Sequence, residues 1–346
     1  NNNTTNTIEY ITCATPGNAA DFGDETAGAA GSNGAECMGN GTRGIAMGRV
    51  EPSLNNIDYV TIATTGNATD FGDRTVAGAR SGRGENDTRA VSMGGGSGVN
   101  TIDTAISYGQ SEEVLGWVGV KNWKVITKLP EVPEGCVNIT KWVRNSIENS
   151  LTRLKVEYLE GVLLHRPIQL LDADKKSLWI ALTQLKKEGL VGKIGFSIYT
   201  PEELDRLWGK YKPDIVQVPY NIFDRRIKTS GWLQRMSSSN VEVHIRSIFL
   251  QGLLLIDKTQ RPKQFNNWSA LWNYWDCWLK MNKITPLQAA LAFAFSEDSV
   301  KRIVVGMDSE LHLKEILSAL KVNITNFPEE LSVTDQKLIN PSQWNL

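Results

Sequence analysis

The chain of 346 residues lacks the features that mark several classes of protein. It has no block of Lys or Arg, and its formal net charge is −1, so nothing indicates a nucleic-acid or anionic-membrane partner. No apolar run approaches the roughly 20 residues of a membrane helix. The opening residues NNNTTNT lack the basic and apolar regions of a signal peptide. We therefore expect a cytoplasmic protein that binds neither nucleic acid nor membrane.

Cysteine is also scarce, with four residues in the whole chain. None forms a C-x-x-C pair, and none has a histidine at metal-ligand spacing. Scattered cysteines of this kind indicate reduced thiols in a cytoplasmic protein, and we expect no metal site. The four cysteines are Cys13, Cys37, Cys136 and Cys277.

The composition changes sharply near Gly98. Residues 1–98 contain no Trp and one Leu, Leu54, whereas residues 99–346 hold all 11 Trp and all three His. So sharp a shift is untypical of one core and favours two parts. We predict a β-rich repeat segment over residues 1–98, with copies at 8–56 and 57–98, and a second domain over residues 99–346.

The first part repeats itself. IEYITCATPGNAADFGDET from Ile8 recurs as IDYVTIATTGNATDFGDRT from Ile57, and the later pieces TRGIAMG and TRAVSMG also match. The alternating residues IDYVTI predict a strand, and Thr-Gly-Asn and Phe-Gly-Asp predict turns. The pattern weakly resembles kelch-like repeats and the repeated modules of phage structural proteins, which would imply a binding role. Such units need at least about three copies, so an incomplete fragment is the favoured interpretation.

Residues 99–346 alternate strand and helix patterns, which predicts an α/β fold of the (β/α)8 TIM-barrel type. The predicted strands are Thr101–Ala105, Lys124–Lys128, Gly161–His165, Lys193–Ser197, Ile215–Val218, Val241–Ser247 and Arg302–Gly306. The predicted helices are Ser111–Val118, Ile139–Leu154, Lys175–Glu188, Pro201–Gly209, Thr229–Ser237, Pro286–Phe295 and Ser309–Leu320. A run of Trp and Leu at helical spacing from Trp268 to Leu279 predicts a further buried helix face.

These patterns supply seven βα strands rather than eight. The glycines from Gly94 run directly into Val99, so no helix fits ahead of the first strand. We therefore predict a barrel that lacks its first βα unit, with TRAVSM (Thr88–Met93) as a possible substitute strand. A barrel short of one strand would expose two sheet edges, and a chimeric reading frame would explain both truncated parts.

Four polar residues follow or end apolar runs of the second part. They are Asp103 and Tyr108 in TIDTAISYG, Lys128 in WKVITKLP, and His165 in EGVLLHRP. Catalytic residues occupy this position, at the C-terminal ends of the strands, in α/β barrels. A carboxylate, a phenol, a lysine and a histidine can together deliver a proton to a carbonyl oxygen.

These and other segments resemble the aldo/keto reductase family over nearly all of residues 99–346. The segments, in family order, are GVNTIDTAISYGQSEEVLG, VITKLP, EGVLLHRP, KIGFSIYTPEEL, DIVQVPYNIFDRR, RSIFLQGLLL, PLQAALAFAF and IVVGMDS. The resemblance implies an NAD(P)H-dependent oxidoreductase that interconverts an aldehyde or ketone and its alcohol. Tyr108 would be the general acid, with Lys128 favouring its phenolate. Asp103 would pair with Lys128, and His165 would orient the carbonyl oxygen.

The resemblance also implies residues that bind the cofactor. Ser197 and Gln217 would hold the nicotinamide carboxamide, and Arg246 stands where many members have a stacking aromatic. Gly306 and Asp308 would lie near the adenosine. Since Asp308 replaces a basic residue there and Lys314 would have to compensate, we expect NADP, with NAD as the alternative.

The sequence leaves the substrate and the activity open. A small carbonyl or sugar-like substrate is expected, and the oligomeric state is not determined. His244 and His312 lie in segments without other candidate catalytic residues, and both are interpreted as structural residues. The alternative function is a non-catalytic, repeat-bearing binding or virion protein that carries a truncated, inactive reductase domain.

Overall fold

The computed structural model describes residues 99–344, apart from positions 321, 323 and 325, and seven strands within residues 7–94. The chain divides into two compact units, Asn1–Asp87 and Thr88–Leu346. Each unit is described by itself. The division into a repeat segment over residues 1–98 and a barrel domain over residues 99–346 stays a prediction.

The described strands of the first unit form two antiparallel sheets. Strands β1 (Thr7–Tyr10) and β2 (Ala20–Asp24) form one of them. The other has four strands in chain order, β3 (Glu36–Gly39), β4 (Arg43–Met47), β5 (Asn56–Thr61) and β6 (Thr69–Asp73). The strand predicted from IDYVTI is thereby confirmed as β5.

The prediction of turns at Phe-Gly-Asp is wrong, because these residues lie inside strands β2 and β6. In both copies the pairing register shifts at this point. Phe22 and Phe71 are the extra residues that the shifts leave without a partner. A glycine within a strand is typical of such a β-bulge, which explains a turn-like signal that does not end the strand. The Thr-Gly-Asn turn lies outside the described residues.

Seven parallel strands build the barrel of the second unit, as predicted. Each pairs with the next in chain order. They are β8 (Val99–Asp103), β9 (Lys124–Leu129), β10 (Leu159–Leu164), β11 (Val191–Ser197), β12 (Ile215–Pro219), β13 (Glu242–Arg246) and β14 (Val300–Gly306).

An eighth strand, β7 (Ala90–Gly94), closes the ring between β14 and β8 and is antiparallel to both. The expectation of two exposed sheet edges is therefore wrong. A parallel neighbour would need a crossover of a dozen or more residues, whereas an antiparallel neighbour needs only a short connection. The four residues between β7 and β8 permit the antiparallel arrangement alone.

Helices surround the barrel, and most of the predicted ones are present. Their bounds are α1 Ser111–Val118, α2 Ile139–Leu154, α3 Lys176–Lys187, α4 Pro201–Leu207, α5 Arg226–Thr229, α6 Trp232–Ser238, α7 Ser269–Asn282, α8 Pro286–Phe295, α9 Glu310–Ala319 and α10 Gln336–Ile339. Helix α8 begins with a capping box, in which Gln288 N donates to Thr285 Oγ1 and Thr285 N donates to Gln288 Oε1. Among the described residues, no helix has the length and apolar character needed to cross a membrane.

Two helical predictions had different outcomes. The tryptophan-rich helix is confirmed as α7, which buries Trp272, Trp275 and Trp278. The helix predicted over Thr229–Ser237 corresponds to α6, but its predicted start is wrong, because α6 begins at Trp232 and Thr229 is the last residue of α5. Gly231 stands between them with φ 78°, a left-handed conformation that interrupts an α-helix.

Strand β7 offers a test of ring closure. Because Ser92 is paired with strands on both sides, a proline at this position removes a backbone donor from the middle of a sheet. We expect Ser92→Pro to lower the free energy of unfolding of the barrel by about 1–3 kcal/mol, because a ladder hydrogen bond is lost and its acceptor is left without a donor. Tryptophan fluorescence in urea measures the barrel selectively, since all Trp lie in residues 99–346. The control is Ser92→Ala, which keeps the N–H; equal stability of the two variants would contradict closure by β7.

Candidate active site

Polar residues predicted to be catalytic or to bind the cofactor gather at one end of the barrel. Asp103 and Ser197 are the last residues of β8 and β11, and Arg246 is the last residue of β13. Tyr108 lies in the turn after β8, and His165 directly follows β10. Because β8 to β14 are parallel, all of these positions lie at the same, C-terminal edge of the strands.

A buried ion pair lies at the centre of the site. Lys128 and Asp103 are 1% and 3% exposed, and Lys128 Nζ donates a very short hydrogen bond to Asp103 Oδ1. The ammonium also donates to the Thr104 carbonyl oxygen at 3.0 Å. A lysine can remain charged at this depth only when its charge is compensated and its N–H groups have acceptors. The structure thus brings together the two residues that the sequence predicted would pair.

Gln217 holds the second oxygen of the same carboxylate. Its Nε2 donates to Asp103 Oδ2 at 2.6 Å, and its Oε1 is buried with no hydrogen-bond partner among the described residues. The sequence assigned Gln217 to the cofactor alone and missed this contact. The two residues are 114 positions apart, and no local pattern links them.

Tyr108 and His165 complete the group at the mouth. Lys128 Nζ lies 5.2 Å from the centroid of the Tyr108 ring. The centroid of the His165 ring lies 5.8 Å from that of Tyr108, with the two planes at 78°. All four residues of the predicted catalytic set are therefore neighbours in space.

The surroundings of His165 keep its imidazole neutral near pH 7. Burial, followed by the nearby charges of Lys128, Arg246 and Arg166, lowers the pKa of His165 to about 4. Its Nδ1 lies 3.2 Å from Ser107 Oγ. Ser107 was not predicted as a site residue, although its position next to Tyr108 in the turn after β8 was a signal for it.

Two arginines contact one tyrosine beside this group. The guanidinium carbons of Arg166 and Arg246 each lie 4.6 Å from the centroid of the Tyr199 ring. Arg246 Nη2 also donates to the Ile198 carbonyl oxygen at 3.0 Å. The sequence singled out Arg246 but neither Arg166 nor Tyr199.

The positions predicted for the adenosine end lie after strand β14. Gly306 is the last residue of β14, and Asp308 lies in the turn before α9. Lys314, on α9, pairs with Glu310 at 2.7 Å, and both side chains are largely exposed. Within the part of the chain that the structure describes, no ion pair joins these residues to the catalytic group.

Comparison with known proteins identifies relatives of the barrel. The profile of the aldo/keto reductase family matches residues 85–334. Aldo-keto reductase YhdN of Bacillus subtilis is 28% identical over 148 residues, which are 38% of this chain and 43% of that protein. Glyoxal reductase of Bacillus subtilis is 29% identical over 178 residues, which are 50% of this chain and 61% of that protein. The chain thus spans less than two thirds of the length of both relatives.

A solved structure supports the architecture. The holo form of aldo-keto reductase AKR11C1 from Bacillus halodurans superposes with a TM-score of 0.56 and 20% identity. The match covers 72% of this chain and 85% of that structure. At this identity the likeness concerns the barrel fold alone.

The buried ion pair predicts a large cost when one partner loses its charge. We expect Asp103→Asn to lower the free energy of unfolding by about 3 kcal/mol, because the Lys128 ammonium is left buried and uncompensated. The double variant Asp103→Asn/Lys128→Met removes both charges and should regain much of that loss. Urea unfolding followed by tryptophan fluorescence measures both. If the loss of unfolding free energy in the double variant equals the sum of the losses in Asp103→Asn and Lys128→Met, the coupling is contradicted.

The low pKa of His165 predicts a dependence of stability on pH. In the unfolded chain His165 takes up a proton near its ordinary pKa of 6.5, whereas in the folded chain it does so only near 4. Its contribution is present above pH 6.5 and is lost as the pH falls from 6.5 toward 4. We expect His165→Gln to lose less stability than the unchanged protein between pH 7 and pH 5. Urea unfolding at both pH values measures these losses. If the variant and the unchanged protein lose the same free energy of unfolding, the folded protein does not hold His165 neutral.

Proposed function

Because this chain belongs to the aldo/keto reductase family, we propose that its barrel is an NAD(P)H-dependent oxidoreductase that interconverts a small aldehyde or ketone and its alcohol. The observation that carries the proposal is the meeting of Asp103, Tyr108, Lys128 and His165 at one mouth of the barrel. A relative named glyoxal reductase is consistent with a small carbonyl substrate. The proposed class of substrates also includes sugar-like carbonyl compounds.

Tyr108 is the proposed general acid of the reduction. Its phenolic O–H gives a proton to the carbonyl oxygen as negative charge develops there. The Lys128 ammonium near the ring stabilises the phenolate that remains. Asp103 acts through Lys128, because it holds the ammonium in place.

His165 is proposed to orient the carbonyl oxygen. When Ser107 Oγ donates to Nδ1 of the neutral ring, the ring proton lies on Nε2. Nε2–H is then free to donate to the substrate oxygen. Two donors, from Tyr108 and His165, would thus meet at one oxygen atom, which is the arrangement that stabilises a developing oxyanion.

The residues present fit a nicotinamide cofactor. When bound, NADPH supplies hydride to the carbonyl carbon. The unpartnered Oε1 of Gln217 is a buried acceptor suited to the N–H of the carboxamide, and Ser197 lies beside Gln217 in register. The planar guanidinium of Arg246 would stack on the nicotinamide ring.

The choice between the two nicotinamide cofactors depends on the adenosine end. Gly306 would allow the chain to approach the adenosine. Lys314 would have to leave Glu310 to bind a 2′-phosphate, and Asp308 would repel that group. We propose NADP as the cofactor, with NAD as the alternative.

The non-catalytic alternative concerns the repeat segment. The family profile begins at residue 85, so it leaves most of that segment outside. A binding or virion role for residues 1–98, and their likeness to kelch-like or phage modules, stay predictions. Turnover by the barrel would contradict a purely non-catalytic protein.

Replacing the general acid tests the proposed chemistry. We expect Tyr108→Phe to lower kcat for reduction of methylglyoxal with NADPH by about 10²- to 10⁴-fold, because the proton donor is lost. The Kd for NADPH, from a fluorescence titration, should remain close to that of the unchanged protein. Tyr274→Phe is the control, since Tyr274 is exposed on α7. Unaltered kcat in Tyr108→Phe would sink the proposal, and NADPH binding without turnover of any carbonyl would favour the non-catalytic alternative.

A further inference from the structure

The contact of two cationic groups with one aromatic ring is an unusual feature of the barrel mouth. Arg166 follows β10 and Arg246 ends β13, and both guanidinium groups lie 4.6 Å from the centroid of the Tyr199 ring. Guanidinium groups are attracted to aromatic rings, so the tyrosine can hold two like charges near each other. Side chains from three separate strand ends are thereby collected at one place.

Both backbone polar groups of Tyr199 form hydrogen bonds to side chains. Its N–H donates to Glu203 Oε1 at 2.6 Å, and its carbonyl oxygen accepts from Arg226 Nη2 at 3.4 Å. Glu203 belongs to the first turn of α4, three residues after the N-cap residue Thr200. The ring is therefore positioned by the barrel and its helices before any ligand binds.

Among the described residues, the positive charge at this place has no acidic partner. Within the described residues, neither Arg166 nor Arg246 forms an ion pair with a carboxylate. The neighbouring acids are engaged elsewhere: Asp224 pairs with Arg226 at 2.7 Å, and Glu203 accepts from two backbone N–H groups. Both arginines also help to lower the pKa of His165, so their charges act on a residue of the proposed catalytic set.

We propose that Arg166, backed by Tyr199 and Arg246, binds a carboxylate of the substrate, so that the barrel prefers small carbonyl compounds that carry an acidic group. This inference rests on the proposed function. Arg166 is exposed to solvent, and its planar fork of N–H donors matches a carboxylate in two parallel hydrogen bonds. Arg166 directly follows His165, so a substrate whose carbonyl oxygen lies at His165 would place a nearby carboxylate within its reach.

The position of Arg166 favours the substrate over the cofactor as the source of the anion. The residues proposed to bind the cofactor end or follow strands β11 to β14. Arg166 follows β10 instead, and it is the residue after His165, which is proposed to hold the carbonyl oxygen of the substrate. Arg246, which ends β13, already uses two of its five N–H donors on Ile198 O and Ser247 Oγ. Arg246 therefore supports the charge of the subsite, and Arg166 makes the contact.

A pair of substrates of nearly the same shape tests the proposal. The anion 4-carboxybenzaldehyde is compared with the neutral 4-formylbenzamide, by kcat/KM with saturating NADPH. We expect the unchanged protein to prefer the anion. In Arg166→Gln, kcat/KM for the anion should fall by about 10- to 100-fold, with a much smaller change for the amide. Arg206→Gln, which removes the same charge from an exposed position on α4, is the matched control.

The same variants separate the two sources of the anion. Equal losses for both substrates in Arg166→Gln, or a weaker Kd for NADPH as its main effect, would overturn the proposal, since the arginine would then serve the fold or the cofactor. So would an unchanged protein that shows no preference for the anion.

A binding measurement separates this proposal from the proposed function. Titration calorimetry with benzoate and benzamide, in the presence of NADP, requires no turnover. Tighter binding of benzoate that disappears in Arg166→Gln supports the anion subsite even if neither aldehyde is reduced, in which case the proposed function alone fails. Equal binding of the two probes overturns the subsite.

Discussion

The buried pair of Lys128 and Asp103 is the interaction on which the geometry of the barrel mouth depends. Two opposite charges lie almost completely out of water, and they are tolerable only while each has its partners. These partners come from three strands: Asp103 from β8, Lys128 from β9 and Gln217 from β12, on the far side of the ring. The position of the ammonium beside the Tyr108 ring therefore depends on strands from both sides of the barrel.

Closure is achieved in an unusual way. The chain has seven βα strands, and the eighth position is occupied by β7, which runs in the opposite direction. β7 supplies hydrogen-bond partners to the edge of β8, the strand that carries Asp103. TRGIAMG in the first repeat copy contains β4, which pairs within a four-stranded sheet, whereas TRAVSMG in the second contains β7. The same sequence pattern thus forms a strand in both places, and the available neighbours decide its partners.

The charges around the mouth have linked consequences. Burial lowers the pKa of His165, and the charges of Lys128, Arg246 and Arg166 lower it further, so the imidazole stays neutral and available as a hydrogen-bond donor to a carbonyl oxygen. The same surplus of positive charge would attract an acidic group on the substrate. The two proposals, a neutral orienting histidine and an anion subsite, therefore share the positive charges at the mouth, to which burial of His165 adds.

The sequence by itself determined the alternation of strands and helices, the count of seven parallel strands and the set Asp103, Tyr108, Lys128 and His165. These follow from local periodicity and from polar residues at strand ends, which depend on neighbours close in the chain. The tertiary structure alone decided the pairing of β7 with β14, the bulges at Phe-Gly-Asp, the bond from Gln217 to Asp103 and the contact of two arginines with the Tyr199 ring. Each of these depends on which backbone or side chain is nearby in space, and residues far apart in the chain leave no periodic signal of their meeting.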